Sequence, residues 1–351
     1  MKDDKHDNSD SRGKLGILVC NSGKPFAQKV VSELEEIIAK EHGSNDMRIL
    51  ESKETWFANT ESKIEIKESI RNRDVYVFQD VENKTAGLSV NDNYMALRNA
   101  VDSVRRADAH YITLVIPVFP YARQDKPRAR EGLTAPLVAR DLENDGATRI
   151  ITLDVHNDAI HSFFRKTILE NLHASKNFMD YVKEKMGYKI RDLVVVAPDA
   201  GGADRARYYA SRLGTKLALL YKERDYSKPN VVEKMSLLGD VKDKTALVVD
   251  DMIDTAGTLA KAAKKLSQEG VKKIYFAASL CLFNQPATER ITRACNDKNI
   301  ADLGIIGTDA VFHGSDFKKK NLWYEEVSVA KYFARVIYNV NKGRSISRLL
   351  E

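Results

Sequence analysis

The sequence lacks the features of membrane and disulfide-stabilised proteins. No apolar run approaches the roughly 20 residues that a membrane helix needs, and the longest candidate, Tyr111–Phe119, is interrupted by a threonine and a proline. Only three cysteines occur, and no two of them form a CxxC pair. This pattern is typical of a reducing compartment rather than a disulfide framework. We therefore expect a cytoplasmic protein that does not associate with membranes.

A charge balance of one sign is also missing. The 56 Lys and Arg residues are scattered among 50 Asp and Glu residues, which gives a formal net charge of +6. Because there is no basic stripe and no interleaving of cations with aromatic residues, the sequence does not predict nucleic-acid binding. A mild positive balance instead steers small anions into clefts. The segment Gly23-Lys24-Pro25 lacks the earlier glycine and the hydroxyl residue of a Walker A motif, which excludes the commonest ATP-binding loop.

The 351 residues are too many for one ordinary core and favour two domains. Apolar runs of strand length alternate with helical patterns, which predicts an α/β fold of mainly parallel sheets covered by helices. The predicted strands are Leu15–Cys20, Val75–Phe78, Tyr111–Val118, Arg149–Val155, Leu193–Ala197, Leu217–Tyr221, Thr245–Val249 and Ile274–Leu280. The predicted helices are Phe26 to Ile38, Met95 to Val104, one that Thr134 caps and Gly146 ends, one that opens at about Leu259, and a last one at about Val327–Val340.

We place the domain boundary near residue 172, because Leu172–Asn177 is polar and has no strong periodic signal. Residues 1–14 are charged and polar and are expected to form a disordered tail. The expected divisions are thus 1–14, a first domain over 15–172, a second over 173–326, and a C-terminal helix and tail over 327–351. The last helix fits against either domain.

The strongest motif is the segment Val248–Thr258, which reads Val-Val-Asp-Asp-Met-Ile-Asp-Thr-Ala-Gly-Thr. A β-rich run delivers the carboxylates of Asp250 and Asp251, and a short loop from Asp254 then opens a helix. The N-terminus of a helix attracts anions, and Gly257 permits close approach of backbone to a phosphate. Paired carboxylates suit neighbouring sugar hydroxyls better than phosphate, because like charges repel. The pattern therefore predicts a ribose 5-phosphate cradle rather than an ordinary helix cap.

Three further polar segments follow predicted strands, where ligands of α/β sheets bind. In Arg123-Gln124-Asp125, the guanidinium suits phosphate oxygens and the amide suits a purine edge. His156 follows a strand and has Asp154 nearby in the sequence. By itself, each of these segments is also compatible with an ordinary surface loop or a structural histidine. Asp199 precedes Gly201-Gly202 at the end of a third strand.

Taken together, these motifs resemble those of ribose-phosphate pyrophosphokinases, in order and over nearly the whole chain. Phosphoribosyltransferases share the Val248–Thr258 signature, but they are usually a single such domain and need no adenine site for ATP. The other segments that carry the resemblance are Pro120–Lys126, Leu153–His156, Phe163-Phe164, Pro198–Gly202, Lys222-Glu223-Arg224, Pro229-Asn230 and Gly343–Ser347.

The resemblance implies two tandem phosphoribosyltransferase-like domains and transfer of pyrophosphate from ATP to ribose 5-phosphate with Mg²⁺. It implies catalytic roles for Lys222, Arg224 and His156, and it makes His156 and Asp199 metal-site residues. The implied ATP-binding residues are Phe57, Asn59, Thr60, Glu61, Arg123, Gln124 and Asp125. The implied ribose 5-phosphate residues are Arg224, Asp250, Asp251, Asp254, Thr255, Ala256, Gly257 and Thr258.

In the family, the segment that matches Phe57–Glu61 reaches across a dimer interface, so the resemblance also implies a homo-oligomer. Without it, Trp56 and Phe57 would be interpreted as core residues. One alternative within the family is a non-catalytic regulatory subunit. Such a chain is expected to have lost the loop cations or the phosphate cradle, and this sequence retains both.

Overall fold

The computed structural model describes residues 12–42, 47–127, 129–223 and 234–350. The chain divides into two units. The first consists of the described residues up to His173, together with 309–313 and the residues from 329 onward. The second consists of 174–308 and 314–328. Each unit is built on a sheet whose strands are mainly parallel and whose connections are helices, which confirms the predicted α/β class. Among the described residues, no helix is long and apolar enough to cross a membrane.

The first unit contains a parallel sheet of six strands in the order β2-β1-β5-β6-β7-β8. Its middle strands are almost fully buried, as the apolar runs predicted. The sequence pattern missed the short or amphipathic strands, and a separate antiparallel hairpin pairs β3 with β4. The strands are β1 (Leu15–Val19), β2 (Arg48–Ile49), β3 (Ser52–Trp56), β4 (Ser62–Ile66), β5 (Asp74–Phe78), β6 (Tyr111–Val115), β7 (Arg149–Leu153) and β8 (Ile168–Leu172).

The second unit contains seven strands in the order β11-β10-β9-β12-β13-β14-β15, all parallel except β11. The chain order reverses between β9 and β12, because β10 lies on one side of this pair and β13 on the other. Ligands of open α/β sheets bind at such a reversal, beyond the carboxyl ends of the strands. The strands are β9 (Leu193–Ala197), β10 (Lys216–Glu223), β11 (Lys234–Leu238), β12 (Thr245–Ile253), β13 (Lys273–Cys281), β14 (Asp302–Thr308) and β15 (Tyr324–Val327).

The five helices that the apolar spacing predicted are present, with ends that differ from the predicted ones by a few residues. Ser89 caps α2 through a reciprocal capping box with Asp92. The expectation that Thr134 caps α3 is wrong: Thr134 is the first helical residue, and its hydroxyl donates to Gln124 Oε1 at 2.5 Å. The helices are α1 (Lys24–His42), α2 (Val90–Arg106), α3 (Thr134–Asp145), α4 (Ser175–Met186), α5 (Ala203–Leu213), α6 (Gly257–Gln268), α7 (Ala287–Asn296), α8 (Phe317–Lys320), α9 (Ala330–Asn341) and α10 (Ser347–Leu350).

The late helix α9 packs on the early helix α1, within the first unit. The rings of Phe26 and Phe333 meet edge to face with centroids 5.1 Å apart. At the end of α1, the carboxylate of Glu41 accepts hydrogen bonds from Arg335, Tyr338 and Arg344. These contacts answer the question that the sequence left open, because the last long helix belongs with the first unit.

Candidate active site

The segment from Asp254 to Thr258 forms a tight loop at the carboxyl end of β12 and the start of α6. Ala256 is the residue before the helix, and it takes the left-handed conformation with φ 57°. Gly257, which is expected to permit close approach of backbone to a phosphate, is the first residue of the helix. The loop is held in place on one side, because Asn284 Nδ2 donates to Asp254 Oδ1 at 2.7 Å.

The helix α6 is held against the sheet by an apolar face of four residues. Leu259, Ala262, Ala263 and Leu266 are all buried. Burying each of the two leucines stabilises the fold by about 2 kcal/mol. Thr255, in the loop before the helix, and Thr258, in its first turn, remain exposed. The N-terminus of α6 is therefore fixed in position and open to solvent, which suits a phosphate group.

Asp250 and Asp251 lie inside β12, which continues four residues beyond its predicted end at Val249. Asp251 is buried and Asp250 is half-buried. Burial, together with the adjacent Asp251, raises the pKa of Asp250 well above its ordinary value. A buried pair of adjacent carboxylates is stabilised by hydrogen-bond donors, such as sugar hydroxyls.

Arg205, which the sequence analysis did not single out, supplies the positive charge at this pair. It lies on α5, and its guanidinium is 3.3 Å from the carboxylate of Asp250 and 3.6 Å from that of Asp251. Arg205 lowers the pKa of Asp250 and so partly offsets the effect of burial. The sequence contains only a weak indication of a role for Arg205, because an arginine in a charged helix is usually solvated.

Asp199 is exposed at the carboxyl end of β9, next to β12 in the sheet. Its Oδ1 accepts a hydrogen bond from the backbone of Gly202 at 3.0 Å. Among the residues that the structure describes, no hydrogen bond reaches its other oxygen. The loop is tight, because a Cβ at Gly202 would lie 3.2 Å from the ring of Pro198. The second unit thus brings Asp199, the carboxylate pair and the phosphate loop to one edge of its sheet.

Of the two predicted loop cations, the structure describes only the backbone of Lys222. It lies in β10 and pairs with Met235 of the antiparallel strand β11. The predicted strand ended at Tyr221, so β10 continues two residues beyond its expected end. Arg224 lies outside the described residues.

In the first unit, residues 57–61 form the turn of the β3–β4 hairpin, and their side chains are exposed. The turn is closed by hydrogen bonds from the Phe57 backbone N–H to the Glu61 carbonyl at 2.8 Å and from Thr60 N–H to the Phe57 carbonyl at 2.9 Å. Asn59 Oδ1 also accepts from the Glu61 backbone. Phe57 is 48% exposed. The interpretation of Phe57 as a core residue is therefore wrong, and Phe57 is exposed at a turn that hydrogen bonds close.

Arg123, Gln124 and Asp125 lie in the loop that follows β6, and His156 lies in the loop that follows β7. The structure joins these two loops, because Asn157 Nδ2 donates to a carboxylate oxygen of Asp125. Arg123, Gln124 and His156 are exposed. The first unit therefore presents these predicted ATP-site residues at the carboxyl edge of its sheet.

Asp154 has a partner that the sequence did not suggest. His173 Nδ1 lies 2.8 Å from Asp154 Oδ1, and the backbone N–H of Asp154 donates to the Leu172 carbonyl at 2.8 Å. Asp154 also has a positive φ of 41°. The strand β8, which sequence analysis missed, carries His173 to this position. Asp154 therefore anchors the loop that presents His156.

Comparison with known proteins gives matches along both units. The family model described as the N-terminal domain of ribose phosphate pyrophosphokinase matches residues 15–146, and the phosphoribosyl transferase domain model matches residues 167–307. A protein of Listeria innocua named ribose-phosphate pyrophosphokinase 1 is 40% identical over 96% of this chain and 98% of its own length. Ribose-phosphate pyrophosphokinase A of Dictyostelium discoideum is 36% identical over 96% of this chain and 98% of its own.

A solved structure shows the same similarity in three dimensions. The crystal structure of phosphoribosylpyrophosphate synthetase from Mycobacterium smegmatis matches with a TM-score of 0.80 and 30% identity. The match covers 94% of this chain and 99% of that chain.

Proposed function

The chain belongs to the ribose-phosphate pyrophosphokinase family, and on that premise we propose that it transfers the pyrophosphoryl group of ATP to the 1-hydroxyl of ribose 5-phosphate. The products are phosphoribosyl diphosphate and AMP, which makes the chain an enzyme of nucleotide biosynthesis. The relatives that this chain matches over nearly their full lengths are named as pyrophosphokinases. These names favour a catalytic chain over a regulatory subunit.

The observation that carries the proposal is the arrangement at the end of β12. The loop Asp254–Thr258 and the exposed N-terminus of α6 hold the 5-phosphate, and Asp250 and Asp251 accept hydrogen bonds from the ribose hydroxyls. The separation of roles follows from charge, because the paired carboxylates repel phosphate and the helix N-terminus attracts it. An anion site beside a site for hydroxyl groups supports a sugar phosphate as the ligand, rather than a free sugar or a free phosphate.

The first unit supplies the nucleotide site in this proposal. Phe57 stacks on adenine, and Asn59, Thr60 and Glu61 read the edge of the base. Arg123, Gln124 and Asp125 contact the remainder of ATP. Phe57 has the exposed ring and the rigid backbone that stacking requires. An aromatic ring that protrudes in this way also supports a homo-oligomer, in which the hairpin completes the site of a neighbouring subunit.

Mg²⁺ is the proposed cofactor, with Asp199 and His156 as the residues that would hold it. Asp199 fits this hard cation, because it offers an exposed carboxylate whose second oxygen has no partner among the described residues. No group of three or more His, Cys, Asp and Glu residues in the described ranges is arranged as a metal cage. Mg²⁺ commonly needs only one or two carboxylates beside water and substrate phosphates. When bound, it would neutralise charge on the phosphate oxygens.

The reaction requires the ribose 1-hydroxyl oxygen to bond to the β-phosphorus as the bond from that phosphorus to the AMP oxygen breaks. Such transfers have loose transition states with negative charge spread over the oxygens. The protein therefore contributes in-line positioning and electrostatic stabilisation. The cradle fixes the attacking sugar. Lys222 and Arg224 neutralise the charge on the transferring and leaving groups, and they do so most strongly in the transition state.

An assay of the purified chain tests this function directly. Incubation with ATP, ribose 5-phosphate and Mg²⁺ should form AMP, and omission of ribose 5-phosphate should abolish it. A regulatory subunit would form no AMP by itself, and a phosphoribosyltransferase would form none from these substrates. The absence of AMP in a correctly folded preparation would contradict the proposal.

A further inference from the structure

The second unit contains a groove that begins at the phosphate loop, where Gly257 and Thr258 line it, and extends between α6 and α7 beyond the residues that the proposed reaction uses. Its volume, including the part at the phosphate loop, is about 650 Å³, which lies within the range of small-molecule binding pockets. Ala260, Ala294 and Ile300 form an apolar lining, and Thr255 lies at the end nearest the phosphate loop.

The groove is strongly cationic. It is lined by Lys261, Lys264, Arg290 and Arg293, and Asp297 is the acid among its lining residues. The excess is three positive charges, in a chain whose whole formal charge is +6. Such a concentration of charge in a concave surface raises the local potential and attracts anions.

Helical spacing explains how the cations come together. On α6, Lys261 and Lys264 follow Gly257 by one and two turns, on the side away from the buried Leu259 and Leu266. The cations of α7, three residues apart, likewise lie away from its buried face. Sequence periodicity alone would assign all four to solvated faces, and only the packing of α6 beside α7 makes them converge.

Two of the four cations lack a partner in the part of the chain that the structure describes. Within the described residues, Lys264 and Arg293 make neither a hydrogen bond nor an ion pair, and both are exposed. Like charges held side by side repel, and a bound polyanion would relieve this repulsion. The groove thus has charge that the fold itself leaves uncompensated.

The far end of the groove, at Lys264 and Arg293, is distinct from the proposed 5-phosphate cradle, although the near end shares Thr255, Gly257 and Thr258 with it. Lys264 lies seven residues beyond Gly257, which is about 10 Å along a helix. At the near end, Arg290 Nη1 donates to the carbonyl of Thr255 at 3.0 Å. An anion bound at the far end therefore occupies different space from the 5-phosphate, and Arg290 connects the two sites.

We propose that this groove is a second binding site, for a small molecule that carries a chain of two or more phosphates. The four cations contact the phosphates. Where the ligand has a ring, that ring packs against the apolar lining. Inorganic diphosphate and nucleoside diphosphates share this chemistry. The proposal extends beyond the pyrophosphoryl transfer described above and does not depend on it.

The test is calorimetric titration of the full chain with inorganic diphosphate, in Mg²⁺-free buffer and with saturating ribose 5-phosphate to fill the cradle. The groove variant is Lys264→Ala/Arg293→Ala. A matched control, Lys319→Ala/Lys320→Ala, removes the same charge from exposed positions of the same unit, outside the groove. A parallel titration with ADP distinguishes the nucleotide from the inorganic source.

We expect the groove variant to bind at one site fewer than the wild type, or with about tenfold or more lower affinity there, because charge-assisted contacts are lost. The control should match the wild type. If the groove variant and the control bind alike, or if ribose 5-phosphate abolishes the binding at issue, the proposal is wrong. The single variant Lys264→Gln, which keeps most of the side-chain stem, gives the same comparison if the double variant unfolds. AMP formation, measured on the same preparations, reports on the proposed function separately.

Discussion

Arg205 is the residue whose importance emerges only from the folded chain. It lies between the carboxylates of Asp250 and Asp251, which the sequence marks clearly, and yet nothing in its own helix distinguishes it from Arg207. Motifs on a single segment, such as Val248–Thr258, can be predicted because their chemistry is written in adjacent residues. A partner on a different helix cannot be predicted in this way, because its contact with the motif depends on how that helix packs.

Replacement of Arg205 should change the pH dependence of the enzyme. Arg205 lowers the pKa of Asp250, so its loss in Arg205→Ala raises that pKa further. If the ionised pair accepts the ribose hydroxyls, the acidic limb of kcat/KM for ribose 5-phosphate should move to higher pH. The measurement is the pH profile, with Arg207→Ala as control, because Arg207 pairs with the exposed Asp204 on the same helix.

Arg205→Lys should restore part of the profile, since it returns the charge without the guanidinium geometry. An acidic limb that stays in place in Arg205→Ala would show that this arginine has only a structural role.

A second residue-scale prediction concerns stability. Asp80 is buried, and its carboxylate accepts hydrogen bonds from the backbone of Phe312 at 3.1 Å and Glu82 at 3.0 Å. Burial raises the pKa of Asp80 to about 7. A carboxyl with a raised pKa stabilises the fold most when it is protonated. Its contribution of a few kcal/mol is therefore present below about pH 4 and is lost as the pH rises through 7.

Asp80→Asn should consequently remove this loss, so that between about pH 4 and 7 the Tm of the variant falls less, or rises more, than that of the wild type. Thermal unfolding of the variant, the wild type and the exposed control Asp316→Asn gives the comparison. The same slope in all three proteins would rule out a titrating Asp80.

At the scale of secondary-structure elements, the buried parallel strands were predictable and the edge elements were not. A strand buried on both faces is written as a continuous apolar run, as in β9 (Leu193–Ala197). The hairpin strand β3 has one exposed and four partly buried residues over five positions, a pattern too short and too irregular to distinguish it from a loop. The predicted ATP segment 57–61 was therefore identified by resemblance, while its position at the tip of a hairpin came from the structure.

Replacement of Lys222, in β10, or of Arg224, the residue after this strand, should affect turnover and leave ground-state binding of the sugar nearly unchanged. In Lys222→Ala or Arg224→Ala, kcat should fall by orders of magnitude, because these cations stabilise charge that develops in the transition state. Affinity for ribose 5-phosphate should stay close to that of the wild type, because the cradle Asp254–Thr258 is a separate segment.

Steady-state kinetics together with binding of ribose 5-phosphate to each variant separates the two quantities. Lys228→Ala removes a charge from the same stretch and serves as control. Near-normal turnover in both loop variants would refute the proposed mechanism.

At the scale of the whole molecule, the proposed assembly predicts that active sites are shared. If Phe57 serves the site of a neighbouring subunit, Phe57→Ala and Lys222→Ala chains should each be inactive alone and should complement each other when mixed. In random dimers, half are hybrids with one intact site, so about a quarter of the wild-type activity should return.

The measurement is AMP formation before and after subunit exchange, with exchange verified by mass measurement of differently tagged chains. A mixture of two Phe57→Ala preparations is the control. Complete exchange with no recovered activity would place Phe57 in the site of its own subunit.

The return of α9 to α1 has a consequence for how the protein is made. Synthesis proceeds from the N-terminus, yet the face of α1 that carries Phe26 is covered only when Phe333 has been added. The hydrogen bond from Arg12 to Asn341 likewise joins the beginning of the described chain to its last long helix. While the ribosome builds the second unit, which is contiguous up to Thr308, the first unit remains unfinished, with an apolar surface exposed to chaperones. The second unit is therefore expected to complete its fold first, although it is translated later.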